Sequence, residues 1–306
     1  MPASCTHLND VAKALLVEPN DARIQAIQSG FWIPYTKAKE TLTHMQEILN
    51  YPRIDRMPNM LLIGPTNNGK SQLLKRFLSM NPPDENRDGD YTIFKLILVE
   101  APSSPDIGNF FDRIFLAINQ PLPPRMPIRD KEVILFSMLK KVQLQVLMID
   151  EVHHLIAGGQ VKQREFRNTL KSMSNILKIS IIAAGVEEAI NAFNIDPQLS
   201  NRFEPQFLQR WTFDEEFLSL LNTLERRTPL KLASNLKDTE ISRAIFLMSE
   251  GVIGEIHEII KRSAIHAIRS GDEKITMNTL SKIRWTAPSK RKHLPTPSQK
   301  NGIAST

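Results

Sequence analysis

The sequence predicts an α/β fold, a mainly parallel sheet flanked by helices and followed by a small all-helical domain. Three observations carry that prediction. The first is Asn59-Met60-Leu61-Leu62-Ile63-Gly64-Pro65-Thr66-Asn67-Asn68-Gly69-Lys70-Ser71, which sets G-x-x-x-x-G-K-S directly behind a short apolar strand. Gln72-Leu73-Leu74-Lys75-Arg76-Phe77-Leu78 then carries apolar residues at helical spacing, so the loop joins a strand to a helix N-terminus whose dipole favours an anion. The second is Leu144-Gln145-Val146-Leu147-Met148-Ile149-Asp150-Glu151, an apolar run suited to a strand buried on both faces and ending in two acids. The third is that every signal beyond Phe213 is helical.

The first two observations also define a chemistry. Glycines 64 and 69 let the backbone curl so that successive N–H groups face phosphate oxygens, while Lys70 reaches the outer phosphates and the Ser71 hydroxyl holds magnesium. The expected cofactors are therefore ATP and Mg²⁺. The nucleotide-binding set is Gly64, Pro65, Thr66, Asn67, Asn68, Gly69, Lys70, Ser71 and Gln72, joined by Asp150. Two carboxylates at a buried strand tip are costly unless a cation and a reacting water use them. Asp150 then steadies the metal with Ser71, and Glu151 is the candidate base that orients or deprotonates water for attack on the γ-phosphate. Alone, the acid pair would fit a helix cap equally well.

Taken in order, residues 1–35 read as an irregular N-terminal arm with one amphipathic turn, holding Gly30-Phe31-Trp32-Ile33-Pro34-Tyr35. Thr36 caps a helix through Leu49, with Leu42, Met45, Ile48 and Leu49 as its apolar stripe. Strands are expected at 59–63 and 91–99. A helix follows from Asp106 to Ile118, then a stiff proline-rich loop at 121–127 and a helix over 129–142. After the acid-tipped strand, Gly158-Gly159 breaks the chain. A basic helix over 160–176, a fourth strand at 179–185 and a short fifth at 206–211 complete the sheet domain, 36–212. The helical lid, 213–285, has helices at 214–226, 239–250, 254–270 and 276–285.

Composition bounds the function. With 306 residues and 41% apolar content the chain resembles an ordinary soluble protein, and no stretch approaches the length needed to span a bilayer. The N-terminus lacks the blocks of a secretory signal, so a cytoplasmic, DNA-associated protein is expected. The single cysteine, Cys5, excludes an internal disulfide framework and a Cys-based zinc site. Net charge is +6, of which Lys290, Arg291, Lys292 and Lys300 supply four within residues 286–306, leaving +2 for the rest. That tail contains no acid and has prolines at 288, 295 and 297, the composition of a disordered arm. It suits contact with nucleic acid or a partner protein, and more simply a solvated terminus.

An extra strand between the phosphate-loop strand and the acid-tipped strand, with glutamate after the aspartate, is similar to the additional-strand branch of the P-loop ATPases. The helical lid points further, to the AAA+ group. Within AAA+ the chain resembles the TniB proteins of Tn7-like and Tn5053-like transposons, relatives of the TnsC transposition regulators. The likeness rests on Phe31-Trp32-Ile33-Pro34-Tyr35-Thr36, on Arg56-Met57-Pro58-Asn59 running into the phosphate loop with its Asn67-Asn68, and on Ile149-Asp150-Glu151-Val152-His153. It continues through Asn201-Arg202-Phe203, Phe217 to Leu230, and Gly251-Val252-Ile253-Gly254, so that it covers about 25–285.

The resemblance implies an ATP-dependent regulator that binds double-stranded DNA without reading sequence and assembles with itself as rings or filaments. It implies recruitment and activation of a DDE transposase, a target-selector protein as a further partner, and hydrolysis as the disassembly switch. Arg202 matches the arginine that a neighbouring protomer offers to the γ-phosphate, with a plain surface arginine as the alternative and Arg164 and Arg167 as fallbacks. Trp32, Ile33 and Pro34 match the segment that packs around adenine, although aromatic core is an equal reading.

Two departures from the AAA+ pattern point to slow hydrolysis. Ala183-Ala184-Gly185-Val186 stands where a polar γ-phosphate sensor is expected, and Gly254-Glu255 where a lid arginine is expected. Charge for DNA is offered by Arg125, Arg129 and Lys131, and by Lys162, Arg164, Arg167 and Lys171, for which a solvated helix face serves equally. His153 and His154 read as structural. Competing readings are a helicase loader or other AAA+ DNA chaperone, and a nucleotide-binding adaptor with negligible hydrolysis.

Overall fold

Two short helices open the chain in the computed structural model, which describes residues 6–122, 125–156, 159–194 and 201–291. Helix α1 (Asp10–Leu15) is capped by Asn9, whose side chain accepts from the Ala12 N–H at 2.9 Å. Helix α2 (Asn20–Ser29) buries Arg23, Ile24 and Ile27. The irregular arm expected over these residues is thus corrected: the buried face of α2 includes an arginine, which hides the helix from any apolar-stripe test.

Contacts divide the chain into two units. One runs from Trp32 to Arg210, and the other combines residues up to Phe31 with those from Trp211 onward.

In the first unit, α3 (Thr36–Leu49) leads to β1 (Asn59–Ile63), α4 (Lys70–Met80) and β2 (Leu96–Glu100). Helices α5 (Ile107–Ala117) and α6 (Ile128–Lys141) precede β3 (Val146–Asp150), and a 3-10 turn (Val152–Ile156) precedes α7 (Gln160–Leu177). Then come β4 (Ser180–Gly185), α8 (Glu188–Asn194) and β5 (Phe203–Phe207). The strands form one parallel sheet in the order β2-β3-β4-β1-β5.

Strand residues alternate strictly between two cores. Leu61, Ile63, Ile97, Val99, Leu147, Ile149, Ile181 and Ala183 face a layer built by α5 to α8, where Phe110, Phe111 and Phe115 are fully buried. Met60, Leu62, Leu96, Val146, Met148, Ile182 and Ala184 face α3 and α4. Truncating any of those phenylalanines to alanine removes packing worth about 3–5 kcal/mol.

The edges of the sheet differ from expectation. Strand β2 starts at Leu96, because Ile93 is taken by an antiparallel bridge to Asp84 and the Phe94 N–H donates to the Val142 carbonyl at 2.9 Å. Strand β5 lies at Phe203–Phe207, upstream of the expected 206–211, since its register with β1 pairs Asn59 with Phe203 and Ile63 with Phe207.

The second unit adds α9 (Glu215–Arg227), α10 (Thr239–Ser249), α11 (Ile253–Ser270), α12 (Met277–Lys282) and α13 (Pro288–Arg291) to α1 and α2. Asp214 and Asp238 cap α9 and α10, and Thr276 and Thr279 form a capping box on α12. Gly271 stops α11 in a left-handed turn at φ 81°. Arg23 fastens the unit: its guanidinium donates to both Glu273 carboxylate oxygens, at 2.8 and 2.5 Å, and to the Pro229 carbonyl at 2.7 Å. The described part of the tail is also ordered, as Arg291 grips the Glu255 carboxylate through two bonds of 2.9 and 2.6 Å and lies 5.0 Å from the Trp285 ring centre. The remainder of the tail, 292–306, is outside the described residues. No helix among the described residues is long and apolar enough to cross a membrane.

Candidate nucleotide-binding site

The loop between β1 and α4 is shaped by its own residues. Asn67 and Gly69 adopt left-handed backbone angles, φ 61° and 88°, and α4 starts at Lys70 with no side-chain cap. Its first N–H groups therefore have no partner inside the helix, and they point where the dipole favours an anion. Gly64 is required by contact rather than by angle: a Cβ there would lie 2.7 Å from the Leu208 carbonyl oxygen.

Leu208 is held from both sides. Its N–H donates to the Ile63 carbonyl at 2.7 Å, and its carbonyl accepts from the buried Asn68 amide, also at 2.7 Å. The same amide reaches the Gln209 carbonyl at 3.0 Å. Asn68, read from the sequence as a nucleotide contact, thus commits its side-chain donors to the segment after β5.

Lys70 is only 5% exposed, and its ammonium donates to the Gly64 and Pro65 carbonyls at 2.8 Å each. Burial holds it below the ordinary lysine range, while Glu151 and then Asp150 pull the other way. Those carboxylates come from the end of β3, where Asp150 Oδ1 accepts from the Glu151 N–H at 2.9 Å. Glu151 has φ +54°, a left-handed angle that costs a non-glycine residue on the order of 1 kcal/mol and is kept where the fold demands it. The four apolar residues of β1 that follow Asn59 and the apolar run of β3 thus deliver one cation and two acids to the same end of the sheet.

His153 is the residue that the sequence reading missed. Its Nδ1 lies 3.1 Å from Glu151 Oε2, though not aligned for a hydrogen bond, and its ring centre is 4.4 Å from that of His154. Burial chiefly lowers its pKa from 6.5, against the pull of Glu151, so the ring beside the candidate base is neutral at neutral pH. The spacing of a glutamate and a histidine two apart, entering a turn, was the available signal.

The family model described as "Bacterial TniB protein" matches residues 23–213, more than half of the chain. The chain belongs to the TniB family. Among solved structures, the TniB chain is similar to the Aeropyrum pernix ORC2 protein in ADPNP-ADP complexes, with a TM-score of 0.61 and 13% identity, covering 89% of this chain and 74% of that one. It is similar to Cdc6p from Pyrobaculum aerophilum, with a TM-score of 0.60 and 17% identity over 82% and 68% of the two chains. It also resembles the Aeropyrum pernix ORC1 protein in complex with DNA, at 0.54 and 14% over 92% and 69%. These likenesses establish the P-loop AAA+ fold. No curated protein matches the sequence.

Other predicted residues of this TniB chain lie further off. Arg202 immediately precedes β5, whereas the phosphate loop follows the other end of the parallel β1, about five residues or 16 Å along the sheet. Its carbonyl accepts from the Asn59 N–H at 3.2 Å and its guanidinium donates to Asn175 at 2.5 Å. Arg56 donates to the neighbouring Asn201 carbonyl at 2.8 Å, and Asn59 accepts from the Ile181 N–H at 2.7 Å. The Arg56-Met57-Pro58-Asn59 segment therefore fastens the end of the sheet that carries Arg202.

Trp32 packs half-buried against the core of α3 and α4, and Ile33 is buried. At the end of β4, Ala183 and Ala184 are fully buried, and a Cβ on Gly185 would meet Val152 and Ala189 at 3.0 and 3.1 Å, so the position is filled by packing. Among the DNA candidates, Arg125, Arg129, Lys162 and Arg164 are exposed. Lys131 is spent on Asp112 at 2.8 Å, and Arg167 is half-buried with Nε and Nη1 lacking a hydrogen-bond partner.

Proposed function

We propose that this TniB protein is an ATP-dependent regulator of transposition, assembling on double-stranded DNA without regard to sequence and recruiting a DDE transposase. The observation that carries the reading is the shared end of the sheet where buried Lys70 and the uncapped start of α4 meet Asp150 and Glu151. These residues fit ATP with magnesium: Lys70 meets the β- and γ-phosphates, and Ser71 with Asp150 holds the cation. ATP, when bound, supplies the γ-phosphoryl group that is transferred to water. Glu151 positions that water and accepts its proton, and neutral His153 leaves the carboxylate free to do so.

Arg202 serves a neighbouring protomer. It stands at the opposite end of the sheet from its own phosphate loop, so the γ-phosphate within its reach is that of a second copy. Trp32 and Ile33 flank the base. The packed, apolar end of β4 favours slow hydrolysis, with nucleotide acting mainly as the assembly switch and its hydrolysis as the release. The same feature is the one that favours a non-hydrolysing adaptor as second reading. DNA binding is supported by the family and by the fold's likeness to a protein described in complex with DNA. A target-selector protein and a DNA-associated cytoplasmic setting complete the proposal, with 36–212 as ATPase domain and 213–285 as lid.

Electron microscopy with duplex DNA and a slowly hydrolysed ATP analogue tests it, alongside phosphate release with ATP. Ordered rings or filaments should appear only with both ligands, and slow phosphate release should accompany ATP. Particles that stay monomeric under every condition would overturn the assembly reading, and assembly with no phosphate release would select the adaptor.

A further inference from the structure

Helix α11 buries Ile256, Ile259, Ile260, Ala264, Ala267 and Ile268 in the core of its unit, which fixes what its opposite face presents. On that face Glu258, Lys261, Arg262, His266 and Arg269 recur at helical spacing, and they line an open cavity of about 430 Å³ whose other wall includes Arg284. Four permanent cations thus surround one carboxylate. Glu258 pairs with Lys261 and accepts from Arg262 Nε at 2.7 Å. Arg269 and Arg284 have no carboxylate partner among the described residues, and both are exposed.

The cavity is also built. Arg262 donates to the Arg284 carbonyl at 3.1 Å and lies 5.5 Å from the Trp285 ring centre, so its planar group is fixed before any ligand arrives. His266 Nε2 is buried and lacks a hydrogen-bond partner, an unmet polar group that a ligand in the cavity would satisfy. From Lys261 to Arg269 is about 12 Å along the helix at 1.5 Å per residue. That length runs past roughly three phosphates of one DNA strand, spaced about 3.4 Å along the axis.

We infer that this face of α11, with Arg284, is a DNA-backbone site that grips successive phosphates of the duplex. The inference rests on the DNA-binding reading above and gives it residues different from those offered by the sequence. An elongated, open row of cations suits a polyanion better than a single small anion, and contacts confined to phosphate explain binding without sequence readout.

The test uses the full chain with a slowly hydrolysed ATP analogue and a fluorescent duplex, following anisotropy between 50 and 200 mM salt. In R269Q/R284Q the slope of log affinity against log salt should shrink by about 0.9 per lost phosphate contact, hence about 1.8 per protomer. Nucleotide binding and melting temperature should stay as in the wild type. R269K/R284K, which keeps the charge, should keep the wild-type slope. An unchanged slope in R269Q/R284Q overturns the site while leaving the DNA reading intact, and a wild-type protein that binds no DNA overturns both. A lysine pair as damaged as the glutamine pair would assign the effect to packing and overturn the inference. So would saturable binding of inorganic phosphate that the glutamine pair loses without any change in DNA affinity.

Discussion

Asn68→Ala tests whether the phosphate loop is held by the segment after β5. The side chain is 3% exposed and donates to the Leu208 and Gln209 carbonyls at 2.7 and 3.0 Å. Losing two such bonds, with the Leu208 carbonyl left buried, costs about 2–3 kcal/mol. If the whole cost falls on loop order, nucleotide affinity drops by roughly thirty- to hundredfold, at 1.4 kcal/mol per factor of ten. If it falls on the unit as a whole, melting drops by about 4–12 °C. Titration with a fluorescent ATP analogue and a thermal melt on the same sample separate the two. Asn68→Asp sharpens the test, because a carboxylate facing two carbonyl oxygens has no proton to give and repels both. It should be worse than alanine in each assay. An alanine variant with wild-type affinity and melting, or an aspartate variant no worse than alanine, would refute the reasoning.

Lys70→Ala should abolish ATP binding, since the buried ammonium is the loop's side-chain counter-charge; wild-type affinity in calorimetry would remove the assignment. Glu151→Gln should keep nucleotide binding but lose phosphate release and leave the protein trapped on DNA, whereas normal hydrolysis would mean another residue positions the water. Arg202→Ala should bind nucleotide as a monomer yet assemble and hydrolyse poorly, and mixing it with Lys70→Ala should restore partial turnover; no recovery at any ratio would count against a role in trans. His257 is held below 6.5, chiefly by burial and then by Lys261. The folded ring therefore binds fewer protons than the unfolded one, so stability present above about pH 6.5 is lost as pH falls from there toward the lower folded value. Melting temperatures at pH 7.5 and 5.5 should differ less in His257→Gln than in the wild type.

The β1 loop and the acid-tipped β3 were legible because their signals are local: thirteen consecutive residues spell strand, loop and helix start, and β3 is apolar up to Asp150. Strand β5 was misplaced for the opposite reason. Among the described residues it pairs only with β1, and it carries Pro205 and exposes Glu204, Pro205 and Phe207, so no buried alternation marks it. Helix α2 escaped because Arg23 takes a core position. His153 stands two residues after Glu151 in the sequence, but that spacing alone does not show the left-handed turn at Glu151 that brings the two side chains together. The cavity on α11 was equally hidden, because Arg284, which closes its other side, comes from beyond α12.

The Arg23–Glu273 latch sets an order of events during synthesis. The unit from Trp32 to Arg210 holds all five strands and can begin to fold once its own stretch has left the ribosome. Helix α2 emerges earlier still, yet the carboxylate that neutralises its arginine lies 250 residues downstream. Until Glu273 arrives, the first helices have no finished core to join, and Arg23 stays in water. Proteolysis of stalled nascent chains should accordingly find the ATPase core protected while the N-terminal helices remain cleavable, with their protection appearing only when the end of α11 and the turn after it have been made.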